Sequence, residues 1–64
     1  MIHVDYVYFR ENYFSANGDL IFYKNFEYRL IGEKDGNYHI SPDKEGNKFI
    51  ELPRKLEGEL FDVC

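Results

Sequence analysis

Cysteine is nearly absent from this sequence, because Cys64 is the only one among 64 residues. A single cysteine cannot close a disulfide within the chain, and no cluster of cysteine and histidine has the spacing of a structural zinc site. A chain this short buries only a small core, so it needs another source of stability. The six tyrosines and six phenylalanines supply apolar surface instead. Each aromatic side chain can bury roughly 150–250 Å².

Basic residues are also scarce. Eight lysines and arginines stand against twelve acidic residues, which gives a net charge of −4. The last nine residues contain no basic residue and three acidic ones, Glu57, Glu59 and Asp62. Nucleic-acid affinity depends on lysine and arginine neutralising phosphates, so a nucleic-acid partner is not expected. A protein with a basic surface suits this charge better.

No hydrophobic run approaches the ~18 apolar residues that a membrane-spanning helix needs. The first apolar stretch, IHVDYVYF, is interrupted by His3 and Asp5 and lacks the basic flank and cleavage site of a signal peptide. We therefore expect a single domain over residues 1–64, located in the cytoplasm and without a membrane partner.

In two stretches of the chain, side chains alternate between two faces with a period of two, which predicts β-strands. Residues 2–9 place Tyr6 and Tyr8 on one face, and residues 26–30 place Phe26, Tyr28 and Leu30 inward between polar neighbours. This second strand ends at Asp35-Gly36, which predicts a two-residue hairpin of type I′ leading into Tyr38-His39-Ile40.

Further turns are predicted at Asn17-Gly18 and at residues 42–47, where Gly46 suits a left-handed conformation. A strand is expected at residues 48–52, and Pro53 should end it because proline has no amide hydrogen to donate. Residues 56–63 fit either a helical turn or a short strand. We expect a brief turn before a closing strand at Leu60 to Val63. The chain should thus form an all-β domain, a small five-stranded antiparallel barrel.

The arrangement NGDLIFYKNFEYRLIGE, then Tyr38-His39-Ile40, EGNKFIEL and LFDV, resembles the small SH3-like barrel proteins encoded by phages and prophages of Gram-positive bacteria. Most of those proteins have no assigned activity, so the resemblance implies a fold and a phage setting. Asn25 stands where the family pattern usually has glycine. Asparagine also tolerates a left-handed backbone, so we expect the turn to be retained.

Residues capable of catalysis are few and scattered along the chain: His3, Ser15, His39, Ser41 and Cys64. A nucleophile needs a base that is held by a third group, together with a pocket for substrate. A barrel filled by its own side chains leaves no such pocket, so we expect no enzyme, cofactor or metal site. His39 is expected to be an exposed strand histidine and Cys64 an exposed free thiol. The stretches 33–37 and 43–47 superficially resemble calcium loops but fit hairpin turns better.

Twelve aromatic rings exceed what so small a core can enclose. We assign five phenylalanines to the core: Phe9, Phe14, Phe22, Phe26 and Phe49. We assign Tyr8, Tyr13 and Tyr23 to a protein-binding surface, because tyrosine combines an apolar ring with a polar hydroxyl. The acidic residues Glu57, Glu59 and Asp62 are expected to orient the partner.

The preferred hypothesis is a non-enzymatic module that binds and modulates or inhibits a bacterial host protein, as a monomer or weak homodimer in the host cytoplasm. One alternative is a small barrel that binds single-stranded nucleic acid through stacked rings, with Arg10, Lys24 and Arg29 near the phosphates. The other alternative is a structural component that self-associates through an edge strand.

Overall fold

The computed structural model describes residues 5–43 and 48–63. These residues form seven strands, β1 (Asp5–Phe9), β2 (Tyr13–Phe14), β3 (Leu20–Phe22), β4 (Glu27–Lys34), β5 (Asn37–Ser41), β6 (Ile50–Pro53) and β7 (Phe61–Val63). In the described part of the chain, the helical residues are confined to a 3-10 turn at Arg54–Leu56. The prediction of an all-β fold is confirmed.

Five strands form one antiparallel sheet in the order β6-β5-β4-β1-β7, and β2 pairs with β3 in a separate small sheet. The larger sheet curls into a half-barrel. Strands β6 and β7 are its two edges, so the described strands do not close the full cylinder that the sequence suggested.

The core lies inside this curl and is built around Phe9. The Phe9 ring stacks on Phe22 at a centroid distance of 4.5 Å, and Tyr28 meets it edge-on at 5.6 Å. Phe61 from the last strand lies 5.5 Å away. Seven hydrophobic side chains are buried in this core: Val7, Phe9, Phe22, Tyr38, Ile40, Leu52 and Phe61. Aromatic packing therefore takes the place of disulfides, as the composition predicted.

The predicted hairpins form. Asp35 and Gly36 join β4 to β5 and have φ angles of 53° and 81°, the two positive values that a type I′ turn requires. In the Asn17-Gly18 turn, Gly18 has a φ of 89°, and its N–H donates to the carbonyl of Ser15 at 2.9 Å. Asn17 does not have a positive φ, so this turn belongs to the wider three-residue class.

A bulge precedes β4 and changes the direction of one ring. The Asn25 N–H donates to the Phe9 carbonyl at 2.8 Å, while the Phe9 N–H donates to the Phe26 carbonyl at 3.0 Å. Asn25 and Phe26 thus both lie opposite Phe9, and Asn25 adopts a φ of 68°, a left-handed conformation that asparagine tolerates. A second irregularity lies between Leu30 and Gly32.

Three of the five phenylalanines that were assigned to the core are exposed instead. Phe14 is 52% exposed, Phe26 59% and Phe49 47%, whereas Phe9 and Phe22 are buried as predicted. Phe26 lies in the bulge, before the regular alternation of β4 begins. Phe49 directly precedes the half-buried Ile50 and so falls on the opposite face of the strand, where it stacks on His39.

His39 points away from the core, as predicted, but its side chain is only 17% exposed. Its ring stacks on Phe49 at 4.5 Å, and its Nε2 lies 3.4 Å from a carboxylate oxygen of Glu51 without forming a hydrogen bond. The expectation of an exposed histidine was therefore wrong, because Phe49 covers it.

The end of the chain follows the prediction in part. The strand expected at residues 48–52 lies at Ile50–Pro53, so it begins two residues later and includes Pro53, which pairs with Asn37. The last paired residue of β6 is Pro53, the 3-10 turn comes next, and β7 begins at Phe61, one residue later than expected. Some predictions lie outside the described residues: His3 and the start of the first strand, the turn around Gly46, and Cys64.

Candidate protein-binding site

A groove of about 630 Å³ lies on the outer face of the sheet. The groove is lined by Tyr6, residues 26–29 and residues 41–43. The wall residues Tyr6 and Phe26 are 45% and 59% exposed. A volume of this size is within the range of sites that bind a small molecule or a few side chains of a partner.

The sheet register places three groove residues in one row. Tyr6 on β1 pairs with Arg29 on β4, and Arg29 pairs with Ser41 on β5. Directly opposed residues have Cβ atoms roughly 4.5–5.5 Å apart, so these side chains are immediate neighbours on the outer face. Arg29 is the central member of the row.

Exposed rings continue from the groove onto the turn before β4. Tyr23 is 51% exposed and meets Phe26 edge-on at 6.0 Å. The Tyr23 N–H donates to the Tyr28 hydroxyl at 2.8 Å, and the Lys24 N–H donates to the Asn12 side-chain oxygen at 2.7 Å. These bonds hold the turn that presents the two rings.

Tyr8 joins this surface. It lies on the same face of β1 as Tyr6, and its hydroxyl donates to the Asn25 side-chain oxygen at 2.8 Å. Asn25 thus supplies both the left-handed backbone of the bulge and an acceptor for Tyr8. We call Tyr6, Tyr8, Tyr23 and Phe26 the aromatic patch.

The rim of the groove opposite the aromatic patch is held by Ser41, which is fully buried. Its hydroxyl lies 2.9 Å from the carbonyl oxygen of Asp43 and 3.2 Å from the Asp43 carboxylate, and the Asp43 N–H donates back at 3.4 Å. Such a local side-chain turn orders the backbone at Pro42 and Asp43.

The three arginines differ in their pairing. Arg10 donates to the Asp62 carboxylate from Nε at 2.6 Å and from Nη2 at 2.9 Å, and Arg54 lies 2.7 Å from the Glu33 carboxylate. Within residues 5–43 and 48–63, no hydrogen bond or ion pair of the half-buried Arg29 side chain is found. The groove therefore contains a guanidinium whose donors are available.

Two of the three acidic residues near the C-terminus have partners within the chain. The hydrogen bonds and charge of Asp62 raise the pKa of Arg10. A third Arg10 donor reaches the Gly58 carbonyl at 2.7 Å. Glu57 accepts the Tyr38 hydroxyl at 2.7 Å. That bond and the burial of the ring raise the pKa of Tyr38. Glu59 is exposed, and its side chain has no hydrogen bond or ion pair among the described residues.

The structure thus places the predicted site residues in three settings. Tyr8 and Tyr23 lie in the aromatic patch. Tyr13 is half-buried and packs on Phe22 at 6.0 Å. The acids Glu57, Glu59 and Asp62 lie around the last turn and β7.

Sequence reasoning did not select Tyr6 or Phe26. The alternation in residues 2–9 placed Tyr6 beside Tyr8, so the pattern contained that information. The sequence pattern did not indicate that Phe26 is exposed, because its exposure depends on a bulge set by hydrogen bonds to Phe9. Arg29 was considered only for phosphate binding.

Comparison of the chain with protein-family models, with curated proteins and with solved structures finds no match. Residues 5–43 and 48–63 contain no group of three or more acidic, histidine or cysteine side chains that could hold a metal ion. Within the same residues, no helix has the length and apolar character needed to cross a membrane.

Proposed function

We propose that this protein is a non-enzymatic SH3-like module, of the kind encoded by phages and prophages, that binds a bacterial host protein through the aromatic patch. The observation that carries the proposal is the clustering of Tyr6, Tyr23 and Phe26, each 45–59% exposed, beside a groove. Aromatic side chains are enriched at the centres of protein interfaces.

The order of elements supports the SH3-like part of the proposal. An aromatic strand β1 is followed by a long connection, a central strand with Tyr28, a tight hairpin at Asp35-Gly36 and a last strand containing Phe61-Asp62. This is the order that the sequence resemblance implies. The fold does not by itself define an activity, so the function rests on the aromatic patch.

The patch is also prepared for binding. Hydrogen bonds to Asn25, Tyr28 and Asn12 fix the backbone and side chains around the exposed rings before a partner arrives. A surface that is already ordered loses less conformational entropy on association. More of the free energy gained by burying the rings is therefore available for binding.

Charge favours a protein over a nucleic acid as the partner. Arg10, one of the three cations suggested for phosphate contacts, is engaged by Asp62 and the Gly58 carbonyl. The groove also contains the acids Glu27 and Asp43. Phosphate backbones need a continuous basic path, and the described groove does not provide one.

The test compares two phenylalanines of similar exposure. Tagged wild-type protein, Phe26→Ala and Phe14→Ala are each used to capture partners from bacterial lysate. We expect Phe26→Ala to lose the captured protein or weaken its binding about tenfold. Phe14→Ala should retain binding, because Phe14 lies outside the groove.

Three results would contradict the proposal. Equal capture by wild type and Phe26→Ala would show that the patch does not bind. Salt-sensitive binding of a labelled single-stranded oligonucleotide, lost in Phe26→Ala, would favour nucleic acid instead. Sedimentation at increasing concentration measures self-association, and a dimer that Phe26→Ala abolishes would assign the patch to a second copy of this chain.

A further inference from the structure

Arg29 has an unusual environment for an arginine in a small domain. It is half-buried at the centre of a cross-strand row, and its guanidinium has no partner in the described part of the chain. Arg10 and Arg54, in contrast, each hold a carboxylate. A guanidinium has five N–H donors in a planar fork that matches a carboxylate.

The surroundings of Arg29 restrict what can reach it. Tyr6 lies beside it on β1, Phe26 lines the same groove, and Ser41 and Asp43 form the ordered rim. A guest must therefore bring an apolar part against the rings and an acceptor to Arg29. The hydroxyl of Ser41 is already engaged with Asp43, which leaves the guanidinium as the strongest free donor group.

We infer that the groove binds a peptide segment of the partner in which one carboxylate side chain pairs with Arg29 and an adjacent aromatic or large aliphatic side chain packs on Tyr6 and Phe26. This inference rests on the proposed function and specifies the partner's chemistry. A carboxylate binds an arginine fork in two places, which gives orientation as well as affinity.

The charges on the groove and on the whole chain limit the guest to one acid. Glu27 and Asp43 line the same groove, and the chain carries a net charge of −4. A run of acids would be repelled by both. A phosphate backbone carries repeated charge and is disfavoured for the same reason, whereas a single carboxylate beside an apolar side chain is not.

The experiment uses a random peptide library displayed on yeast and selected in parallel on three proteins: the full wild-type chain, Arg29→Gln and Lys55→Gln. Lys55→Gln is the matched control, because it removes the same charge from an exposed position in the 3-10 turn, outside the groove. We expect wild type and Lys55→Gln to enrich peptides with Asp or Glu next to an aromatic or aliphatic residue. Arg29→Gln should keep the apolar preference and lose the acidic one.

A selected peptide then serves as a fixed probe. Changing its acid to the matching amide should weaken binding to wild type about tenfold, the usual effect of losing one charge-assisted hydrogen-bonded pair. The same change should leave binding to Arg29→Gln nearly unaltered, so that the double-mutant cycle assigns the coupling to this pair. Arg29→Lys should be intermediate, since lysine keeps the charge but loses the fork.

The outcomes separate the two proposals. Peptides that depend on Phe26 but show no acidic preference, with Arg29→Gln binding like wild type, would overturn the inference and leave the proposed function standing. Enriched peptides that bind Phe26→Ala as well as wild type would overturn both. A labelled single-stranded oligonucleotide that binds wild type and loses affinity in Arg29→Gln would assign Arg29 to phosphate and overturn the inference.

Discussion

The charged groups around the C-terminal strand and those on the groove face are arranged differently. At β7 and the 3-10 turn, Arg10 holds Asp62 and Tyr38 donates to Glu57. On the groove face, Arg29 is unpaired within the described residues and the rings of Tyr6 and Phe26 are open to solvent. The first region pairs two of its three acids internally, while the second leaves the Arg29 guanidinium and the exposed rings for a partner.

This difference changes the interpretation of the acidic residues. The sequence placed Glu57, Glu59 and Asp62 together as a surface for a basic partner. Two of the three have partners in the chain, and both bonds connect distant segments, Arg10 to Asp62 and Tyr38 to Glu57. Their first contribution is therefore to fix the last strand. The proposed binding role shifts to the groove face, where affinity comes from rings and one cation.

The largest expected effect tests whether the aromatic core holds both regions. Phe9→Ala removes a buried ring that stacks on Phe22 and contacts Phe61. We expect a loss of about 3–5 kcal/mol in the free energy of unfolding, enough to unfold much of so small a domain. Denaturant unfolding followed by circular dichroism measures it.

Phe14→Ala is the control for this prediction, because Phe14 is 52% exposed. It should lower the free energy of unfolding by less than about 1 kcal/mol. Similar losses in both variants would mean that Phe14 shares the core, as the sequence had suggested, and the assignment of inner and outer faces would be wrong.

The next effect concerns the paired region. Tyr38→Phe removes the hydroxyl that donates to Glu57 while keeping the buried ring. Because hydrogen bonds to charged groups are among the stronger ones, we expect a loss of about 1.5 kcal/mol in the free energy of unfolding at neutral pH. Urea unfolding at pH 7 measures the difference.

The same bond gives a pH dependence with a definite sign. The pKa of Tyr38 is raised in the folded state above its ordinary value of 10.0. The folded protein thus keeps this proton at a pH where the unfolded chain has lost it. The stabilisation is complete below about pH 10 and declines above it. Wild type should lose stability more steeply than Tyr38→Phe in that range, and parallel curves would show that the hydroxyl is not held.

A smaller effect tests the hairpin that joins β4 to β5. Gly36 has a φ of 81°, which an alanine adopts only with strain, so Gly36→Ala should cost about 1 kcal/mol. Gly32→Ala is the matched control. Gly32 has no positive φ, and the added Cβ would lie 3.5 Å from His39 Nδ1, an ordinary contact. The free energy of unfolding of Gly32→Ala should be unchanged or raised by about 0.5 kcal/mol. A greater loss in Gly32→Ala than in Gly36→Ala would contradict the prediction that the strain arises at Gly36.

The parts of the fold that could be predicted from sequence are those fixed by neighbouring residues. Asp35-Gly36 determines its own turn, and the alternation of β5 sends Tyr38 and Ile40 inward whatever lies across the sheet. Pro53, which has no N–H to donate, is the last residue of β6. Each of these features depends on a few adjacent residues, so a local pattern was sufficient.

The features that were predicted wrongly depend on contacts between distant segments of the chain. Phe26 is exposed because Asn25 and Phe26 share one partner, Phe9, and that bulge requires knowing which strands meet. The pairing of Arg10 with Asp62 joins residues 52 positions apart. Without that contact, Asp62 appeared to be a free surface acid and Arg10 a free cation.

The smallest expected effect compares the two regions directly, through Arg10→Gln and Arg29→Gln. Arg10→Gln breaks the contacts to Asp62 and Gly58 and should lower the midpoint of thermal unfolding, less so at high salt because the pair is exposed. Arg29→Gln breaks no contact within the described residues, so we expect the free energy of unfolding to change by less than about 0.5 kcal/mol. Calorimetric scans of both variants at two salt concentrations make the measurement. If Arg29→Gln destabilised the fold as much as Arg10→Gln, Arg29 would be a structural residue, and the groove face would have no cation left to offer a partner.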